Sequence, residues 1–103
     1  MKKLNGYQRK YLRGLAHGMK TTVMIGKKGI TDMVINEIDE ALDRHELIKV
    51  KFTDFKEKTQ KKEFAHTIEE KTNSHLVGMI GHTVMLYRQS SDPKKRKISV
   101  PER

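Results

Sequence analysis

A short basic loop bounded by two glycines is the part of this sequence best suited to bind an anion. Its residues are Gly26, Lys27, Lys28 and Gly29. Glycine has no Cβ, so the backbone of this G-x-x-G loop can bend tightly and approach a partner closely. Thr31 is placed to cap the helix that follows, whose free N–H groups and positive dipole end favour anions. With the lysine charges added, the loop and Thr31 are predicted to hold a phosphate backbone.

Five histidines could support catalysis or metal binding, but their spacing matches neither use. They are His17, His45, His66, His75 and His82. They fall on different predicted elements, with no H-E-x-x-H pattern and no pair at i, i+4. The chain also has no cysteine, no G-x-S-x-G motif and no Walker A motif, so nucleophilic catalysis and nucleotide hydrolysis lack their usual signals. We predict a protein that is not an enzyme and has no catalytic residue, metal site or cofactor.

Residues 1–20 predict an amphipathic helix with a basic side. Apolar residues recur at three- and four-residue spacing, namely Leu4, Tyr7, Tyr11, Leu12 and Leu15. Asn5 is placed to cap the start of this helix, and Gly18 is placed to end it. Arg9 and Arg13 lie one turn apart, away from the apolar stripe, in a segment without acidic residues. They are interpreted as nucleic-acid contacts, the alternative being a merely solvated face.

A short strand at residues 22–25 is expected to lead into the G-x-x-G loop, and a second helix is expected to start at Asp32. The apolar stripe of that helix consists of Val34, Ile38, Ala41 and Leu42. From Asp32 through Glu46 there are six acidic residues and one basic residue. The side of this helix is therefore not expected to contact phosphates, and its N-terminus is the end of interest.

Residues 46–53 alternate with period two, which predicts a strand with one buried face. The residues of the buried face are Ile48, Val50 and Phe52. Lys49 and Lys51 lie on the opposite face with Leu47 and are predicted to extend the phosphate-binding track. A third helix is expected at residues 57–72, with apolar contacts from Phe64, Ala65 and Ile68. Its early lysines, Lys56, Lys58, Lys61 and Lys62, could keep the helix soluble or bind nucleic acid, and both alternatives stand.

The last elements complete a fold prediction. Residues 76–80 and 83–88 flank Gly81-His82, which is typical of a β-hairpin. The order α-β-α-β-α-β-β predicts one α/β (α+β) domain with a four-stranded mixed sheet packed with helices. We assign residues 1–90 to this domain. Residues 91–103 contain Lys94-Lys95-Arg96-Lys97 without periodicity, and we predict that they form a flexible basic tail.

Composition narrows the class of partner. The chain has 103 residues and a formal net charge of +9, which attracts polyanions without distinguishing RNA from DNA or an anionic membrane. Hydrophobic residues make up 35% and charged residues 34%, which fits one small domain with a modest core. The absence of cysteine suits a reducing compartment, and no apolar run is long enough for a signal peptide or a membrane span. We therefore expect a cytoplasmic protein.

The ordered series of these motifs resembles a known family, the CRM domain (chloroplast RNA splicing and ribosome maturation), in its stand-alone bacterial YhbY-like form. The first matching segments are Leu4, Gln8 through Arg13, Ala16-His17 and Val23 through Thr31. The series continues with Glu37-Ile38, Ala41-Leu42, His45 through Lys51, Ile80-Gly81 and Val84 through Arg88. A lone G-x-x-G pattern would be weak support, whereas this series at compatible spacing covers nearly the whole chain.

The resemblance implies a fold similar to the C-terminal domain of translation initiation factor three, and it implies RNA binding. Stand-alone bacterial members associate with precursors of the large ribosomal subunit, and the family contacts RNA through the loop that corresponds to Gly26–Gly29. We therefore expect a monomeric, non-enzymatic protein that binds 23S rRNA and assists assembly of the large (50S) subunit, with no membrane and no small-molecule substrate. The alternative is a constitutive ribosomal or nucleoid-type structural protein that binds nucleic acid.

Details of the contact can be predicted from the residues. Lys27 and Lys28 would supply charge, and the backbone N–H groups near Gly29 and Ile30 would supply directed donors, in the manner of the G-x-x-G loop of KH domains. The few aromatic residues of the helices lie on apolar stripes and are expected in the core, namely Tyr7, Tyr11 and Phe64. Recognition of RNA shape and backbone is therefore favoured over stacking of bases on exposed aromatic rings.

Overall fold

Three helices and four strands follow one another in the predicted order. The computed structural model describes residues 3–54 and 57–102. The elements are α1 (Gly6–His17), β1 (Val23–Ile25), α2 (Asp32–His45), β2 (Leu47–Phe52), α3 (Lys58–Thr72), β3 (His75–Ile80) and β4 (Thr83–Tyr87), with a 3₁₀ turn at Pro93–Lys95. The predicted α+β class is confirmed, and the element boundaries that were predicted differ from the structure by at most one residue. Four positions named in the predictions lie outside the described residues. They are Lys56 of the predicted lysine patch, residues 1 and 2 at the start of the predicted domain, and residue 103 at the end of the predicted tail.

The strands form one mixed sheet in the order β1-β2-β4-β3. Strands β1 and β2 are parallel, with Ile25 opposite Phe52, and the other two pairs are antiparallel. This pairing brings the residues after β1, the residues after β2 and the β3–β4 turn to one end of the sheet. Two backbone hydrogen bonds close that end, from Thr53 N to Ile25 O (2.9 Å) and from Phe52 N to His82 O (2.8 Å). We call it the loop end, because the G-x-x-G loop is part of it.

Side-chain caps define where the first two helices begin. At α1, Asn5 Oδ1 accepts from Gln8 N (2.8 Å) while Gln8 Oε1 accepts from Asn5 N (3.0 Å), which is a capping box. At α2, Thr31 Oγ1 accepts a hydrogen bond from Val34 N (3.1 Å). Both caps were predicted from residue type, as was the end of α1 at Gly18.

The two faces of β2 carry two separate cores, although the alternation predicted only one buried face. Ile48, Val50 and Phe52 pack beneath α2 and α3 in the larger core. On the opposite face, Leu47 packs with Leu12 of α1 in a smaller core that also contains Val77, Met85 and Tyr87. Helix α1 covers only the Leu47 part of that face, so the part that carries Lys49 and Lys51 is left more exposed.

The prediction that Tyr7 and Tyr11 lie in the core is wrong. They are 48% and 39% exposed, and Leu15 in the same row is 42% exposed. Helix α1 instead rests on the sheet through Leu12 and Ala16, which are completely buried. Tyr11 and Leu15 each precede one of these residues, so they are rotated by about 100° from the buried side. The prediction for Phe64 holds, because its half-buried ring packs against the larger core, 6.0 Å from the ring of Phe52.

A buried glutamate fastens the residues after β4 to the domain. Glu46 is 1% exposed and ends α2 with a φ of 64°. Its carboxylate accepts hydrogen bonds from Ser90 N (2.6 Å), Lys97 N (2.6 Å) and Ile98 N (3.1 Å). Ile98 and Val100 also pack against the smaller core. The described part of the tail thus has fixed contacts in this structure, while the flexibility predicted for residues 91–103 stays a prediction.

Tyr87 gives a pH-dependent prediction for this smaller core. Its side chain is buried, and its hydroxyl has no hydrogen-bond partner among the described residues. Burial, with a smaller contribution from Glu46, raises the pKa of Tyr87 to about 12. An unfolded chain ionises tyrosine near pH 10, so the stability present below pH 10 is lost as the pH rises towards 12, by up to ~3 kcal/mol.

We expect Tyr87→Phe to keep or slightly raise the stability at pH 7, by at most ~1 kcal/mol, since it removes an unpaired buried hydroxyl. The variant should also lack the part of the stability loss above pH 10 that the raised pKa of Tyr87 causes in the wild type. Thermal melts of both proteins at pH 7, 10 and 11.5 measure this, because lysine titration affects the two proteins equally. Parallel loss above pH 10 would contradict the prediction.

Candidate nucleic-acid interface

The G-x-x-G loop is a closed turn with the two lysines at its tip. Gly29 N donates to Gly26 O at 3.0 Å, and the side chains of Lys27 and Lys28 are exposed. Gly29 is buried and has a φ of 71°, a conformation that favours glycine, so this position needs its residue type for the turn itself. A Cβ at Gly26 would meet only Thr53 Oγ1, at an ordinary 3.8 Å. The Gly29 N–H closes this turn and is thus already engaged, while the use of N–H groups near Gly29 and Ile30 as donors to a ligand stays a prediction.

Thr31 lies two residues after Gly29, and its hydroxyl caps α2. The side chain therefore positions the helix start beneath the loop, with its oxygen already engaged by Val34 N. Asp32 follows in the first turn of α2 and adds a negative charge there. The lysines must therefore supply most of the attraction for an anion at this end of the molecule.

The two arginines of α1 are half-buried and bonded to backbone carbonyls. Arg9 Nη1 donates to Leu4 O at 2.6 Å, and Arg13 Nη1 donates to Val77 O at 3.0 Å. The stem of Arg13 also lies over Gly78 of β3, where an added Cβ would come within 2.6 Å of Arg13 Cδ. Arg13 is thus held against the sheet, whereas Arg9 lies one turn farther from the C-terminal end of α1.

The two lysines of β2 differ in their surroundings. Lys49 Nζ donates to His17 O (3.2 Å) and Met19 O (3.1 Å) at the C-terminal end of α1, where the helix dipole favours a cation. Lys51 is exposed and lies opposite Met24 on one side and Thr83 on the other. Lys51 is therefore at the loop end with Lys27 and Lys28, while Lys49 and Arg13 line a groove farther along the same sheet face.

The opposite side of the sheet carries the acidic residues. Arg88, which sequence reasoning did not assign a role, binds the carboxylates of Asp39 and Asp43 on α2 and donates to Thr72 O of α3 (2.7 Å). This links the C-terminal ends of α2 and α3. Basic residues of α1 and the tail lie on the other side, so a polyanion is attracted to the α1 side and to the loop end.

Lys61 is a structural residue that the sequence analysis left undecided. It is 6% exposed, and its Nζ donates to Gly81 O at 2.9 Å and contacts His82 Nδ1 at 3.2 Å. It thereby joins the start of α3 to the β3–β4 turn. Lys61 is four and seven residues before the buried Ala65 and Ile68, so it lies on the buried stripe of α3. This spacing could have identified Lys61 as a buried residue from the sequence. Lys58 and Lys62 are exposed.

Neither a metal-binding cluster nor a membrane-spanning helix is present among the described residues. Within residues 3–54 and 57–102, no group of three or more histidine and acidic side chains is arranged to hold a metal ion. In the same ranges, no helix combines the length and apolar character needed to cross a bilayer.

Comparison with known proteins agrees with this architecture. The family model for the CRS1/YhbY (CRM) domain matches residues 4–88. A Haemophilus influenzae protein named RNA-binding protein is 40% identical over 94 residues, covering 91% of this chain and 94% of that protein. The Bacillus subtilis protein named probable RNA-binding protein YqeI is 37% identical over 95 residues, covering 92% and 98% respectively.

A solved structure shows the same fold. The solution structure of the Staphylococcus aureus protein SAV1595, described as a candidate RNA-binding protein, superimposes with a TM-score of 0.81 at 40% sequence identity. The match covers 96% of this chain and all of that one. Together with the family match and the two relatives, it means that the chain belongs to the CRS1/YhbY (CRM) domain family.

Proposed function

We propose that this protein is a non-enzymatic RNA-binding factor that binds 23S rRNA in precursors of the large (50S) ribosomal subunit and assists their assembly. The observation that carries the proposal is the exposed Lys27-Lys28 turn at the loop end of the sheet. The names of the relatives support RNA as the partner. In this proposal the protein acts as a monomer in the cytoplasm, without a small-molecule substrate.

The contact proceeds by neutralisation of phosphates. Lys27 and Lys28 contact the RNA backbone, and Lys51 adds a third cation at the same end of the sheet. Release of counterions drives the association, so the affinity falls steeply with salt. The side chains of Arg9, Arg13 and Lys49 are held by hydrogen bonds to backbone carbonyls. They therefore contribute mainly through the positive potential of their fixed charges. Thr31 orients the start of α2 under the loop.

Sedimentation of cell lysate tests the assembly role. We expect the protein to travel with particles lighter than the mature large subunit and to be absent from translating ribosomes. Immunoblotting of sucrose-gradient fractions measures this, with a large-subunit ribosomal protein as the reference. Equal loading on polysomes would instead favour a constitutive ribosomal protein, and recovery with DNA would favour a nucleoid protein.

A further inference from the structure

One row of side chains crosses all four strands on the sheet face that α1 leaves partly open. Its members, which we call the cross-strand row, are Met24, Lys51, Thr83 and Ile80, each opposite the next in register. Residues in register share a face of the sheet. Met24 is 61% exposed and Ile80 is 63% exposed, although both are large apolar residues within strands.

A groove adjoins this row. It has a volume of about 260 Å³ and lies between the C-terminal end of α1 and the open sheet face, with Arg13, His17, Thr21, Lys49, Ile80 and Met85 in its lining. The second row of the sheet forms its floor, because Lys49 is opposite Met85 and Met85 is opposite Gly78. The absent side chain of Gly78 gives Arg13 its place at the rim.

This surface combines exposed apolar side chains with cationic ones. Phosphates alone would leave Met24 and Ile80 without a favourable contact, since apolar side chains gain nothing from a charged oxygen. The faces of nucleobases are apolar, and methionine sulfur makes favourable contacts with aromatic rings. Lys51 lies between the two apolar residues, and Lys49 and Arg13 border the groove, so the surroundings match a polyanion.

We propose that the cross-strand row and its groove form a subsite for two or three unpaired nucleotides of RNA, whose bases rest on Met24 and Ile80 while the backbone continues to the G-x-x-G loop. This inference rests on the proposed RNA-binding function. A four-stranded sheet surface has the width to carry two or three bases. Duplex RNA hides its base faces, so the subsite selects single-stranded segments.

Binding of two RNA probes to a double variant tests the subsite. The probes are a single-stranded oligoribonucleotide and a blunt RNA duplex of the same length, followed by fluorescence anisotropy. Met24→Thr with Ile80→Thr removes apolar area but keeps strand propensity, and both side chains are mostly exposed. We expect roughly tenfold weaker binding of the single strand and less than a twofold change for the duplex.

Leu15→Ala is the matched control, because it removes an exposed apolar side chain on the side of α1 away from Arg13, and it should leave both affinities unchanged. Equal effects of the double variant on both probes, or none, would overturn the subsite while leaving RNA binding in place. Failure of the wild-type protein to bind either probe would overturn the proposed function itself.

Methyl NMR supplies an independent readout on the intact protein. The single-stranded probe should shift the methyl signals of Met24, Ile80 and Met85 more than those of Ile68, which is buried in the larger core on the other face of the sheet. Larger shifts with polyglutamate than with RNA would identify the face as a docking surface for acidic protein and would overturn the inference.

Discussion

Joint replacement of Lys27 and Lys28 by alanine is expected to weaken RNA binding by roughly 10- to 100-fold at moderate salt. Each lysine that neutralises a phosphate adds about one unit to the slope of log affinity against log salt, so the slope should become shallower by about two units. The physical reason is that the variant releases fewer counterions on binding. Both side chains are exposed, and within the described residues neither makes a hydrogen bond or ion pair whose loss would weaken the fold. Anisotropy titrations at several potassium chloride concentrations measure the slope directly.

The matched control for this variant removes the same charge at the other end of the molecule. Arg44 and Lys71 are exposed and lie in the last turns of α2 and α3. Arg44→Ala with Lys71→Ala should change affinity by less than threefold at moderate salt, because these side chains are far from the loop end. If both double variants lose affinity equally, net charge alone determines binding and the loop has no special part in it. Substitution of Gly29 is a poorer test, because its left-handed backbone would be strained by a side chain.

Replacement of Glu46 by alanine is expected to reduce the free energy of unfolding by about 3 kcal/mol. The change leaves the N–H groups of Ser90, Lys97 and Ile98 without their acceptor. Alanine and glutamate both carry a Cβ, so the positive φ at this position costs the two residues about the same and does not confound the comparison. Urea denaturation monitored by circular dichroism measures the loss.

The tail supplies a second readout for this variant. Trypsin should cleave after residues 94–97 faster in Glu46→Ala than in the wild type, because the tail is released from the smaller core. Glu40→Ala is the control, since Glu40 is exposed on the same helix and its loss should change stability by less than about 0.5 kcal/mol. A loss below 1 kcal/mol with unchanged cleavage would mean that the contacts of Glu46 contribute little to holding the tail.

Residue patterns within single segments were sufficient to predict most of the helices and strands. The period-two pattern of β2 predicted which residues face the larger core, because alternation on a strand has only two outcomes. Asn5 and Thr31 were identified as caps because their side chains satisfy N–H groups three residues away. Helical periodicity was less informative for α1. It groups Tyr7 and Tyr11 on one side but does not say which part of that side the sheet will cover.

Contacts between distant segments could not be read from local patterns. Lys49 and Arg13 were predicted to extend the phosphate-binding track, but the contacts of Lys49 with carbonyls at residues 17 and 19 and of Arg13 with the carbonyl of Val77 were not predicted. Glu46 ends an acidic helix and looks like its neighbours in the sequence, but its partners lie 44 to 52 positions later. Only the packing of the sheet against α1 and the tail brings these groups together. The exposure of Lys27, Lys28 and Lys51 could be predicted without such information. It follows from their places in a turn and on the more exposed face of a strand.

The sheet order has a consequence for how the protein is made. The loop end joins residues after β1, residues after β2 and the β3–β4 turn, and the central strand β2 has β4 as one of its two partners. During synthesis, a chain that stops before the β3–β4 turn leaves β2 with an open edge and lacks the His82 carbonyl that bonds Phe52 N. Pairing over such sequence separations is slow compared with helix formation. The loop end is therefore completed only after the chain has been made through Tyr87. Under the proposed function, a shorter nascent chain would not yet present the complete RNA-binding surface.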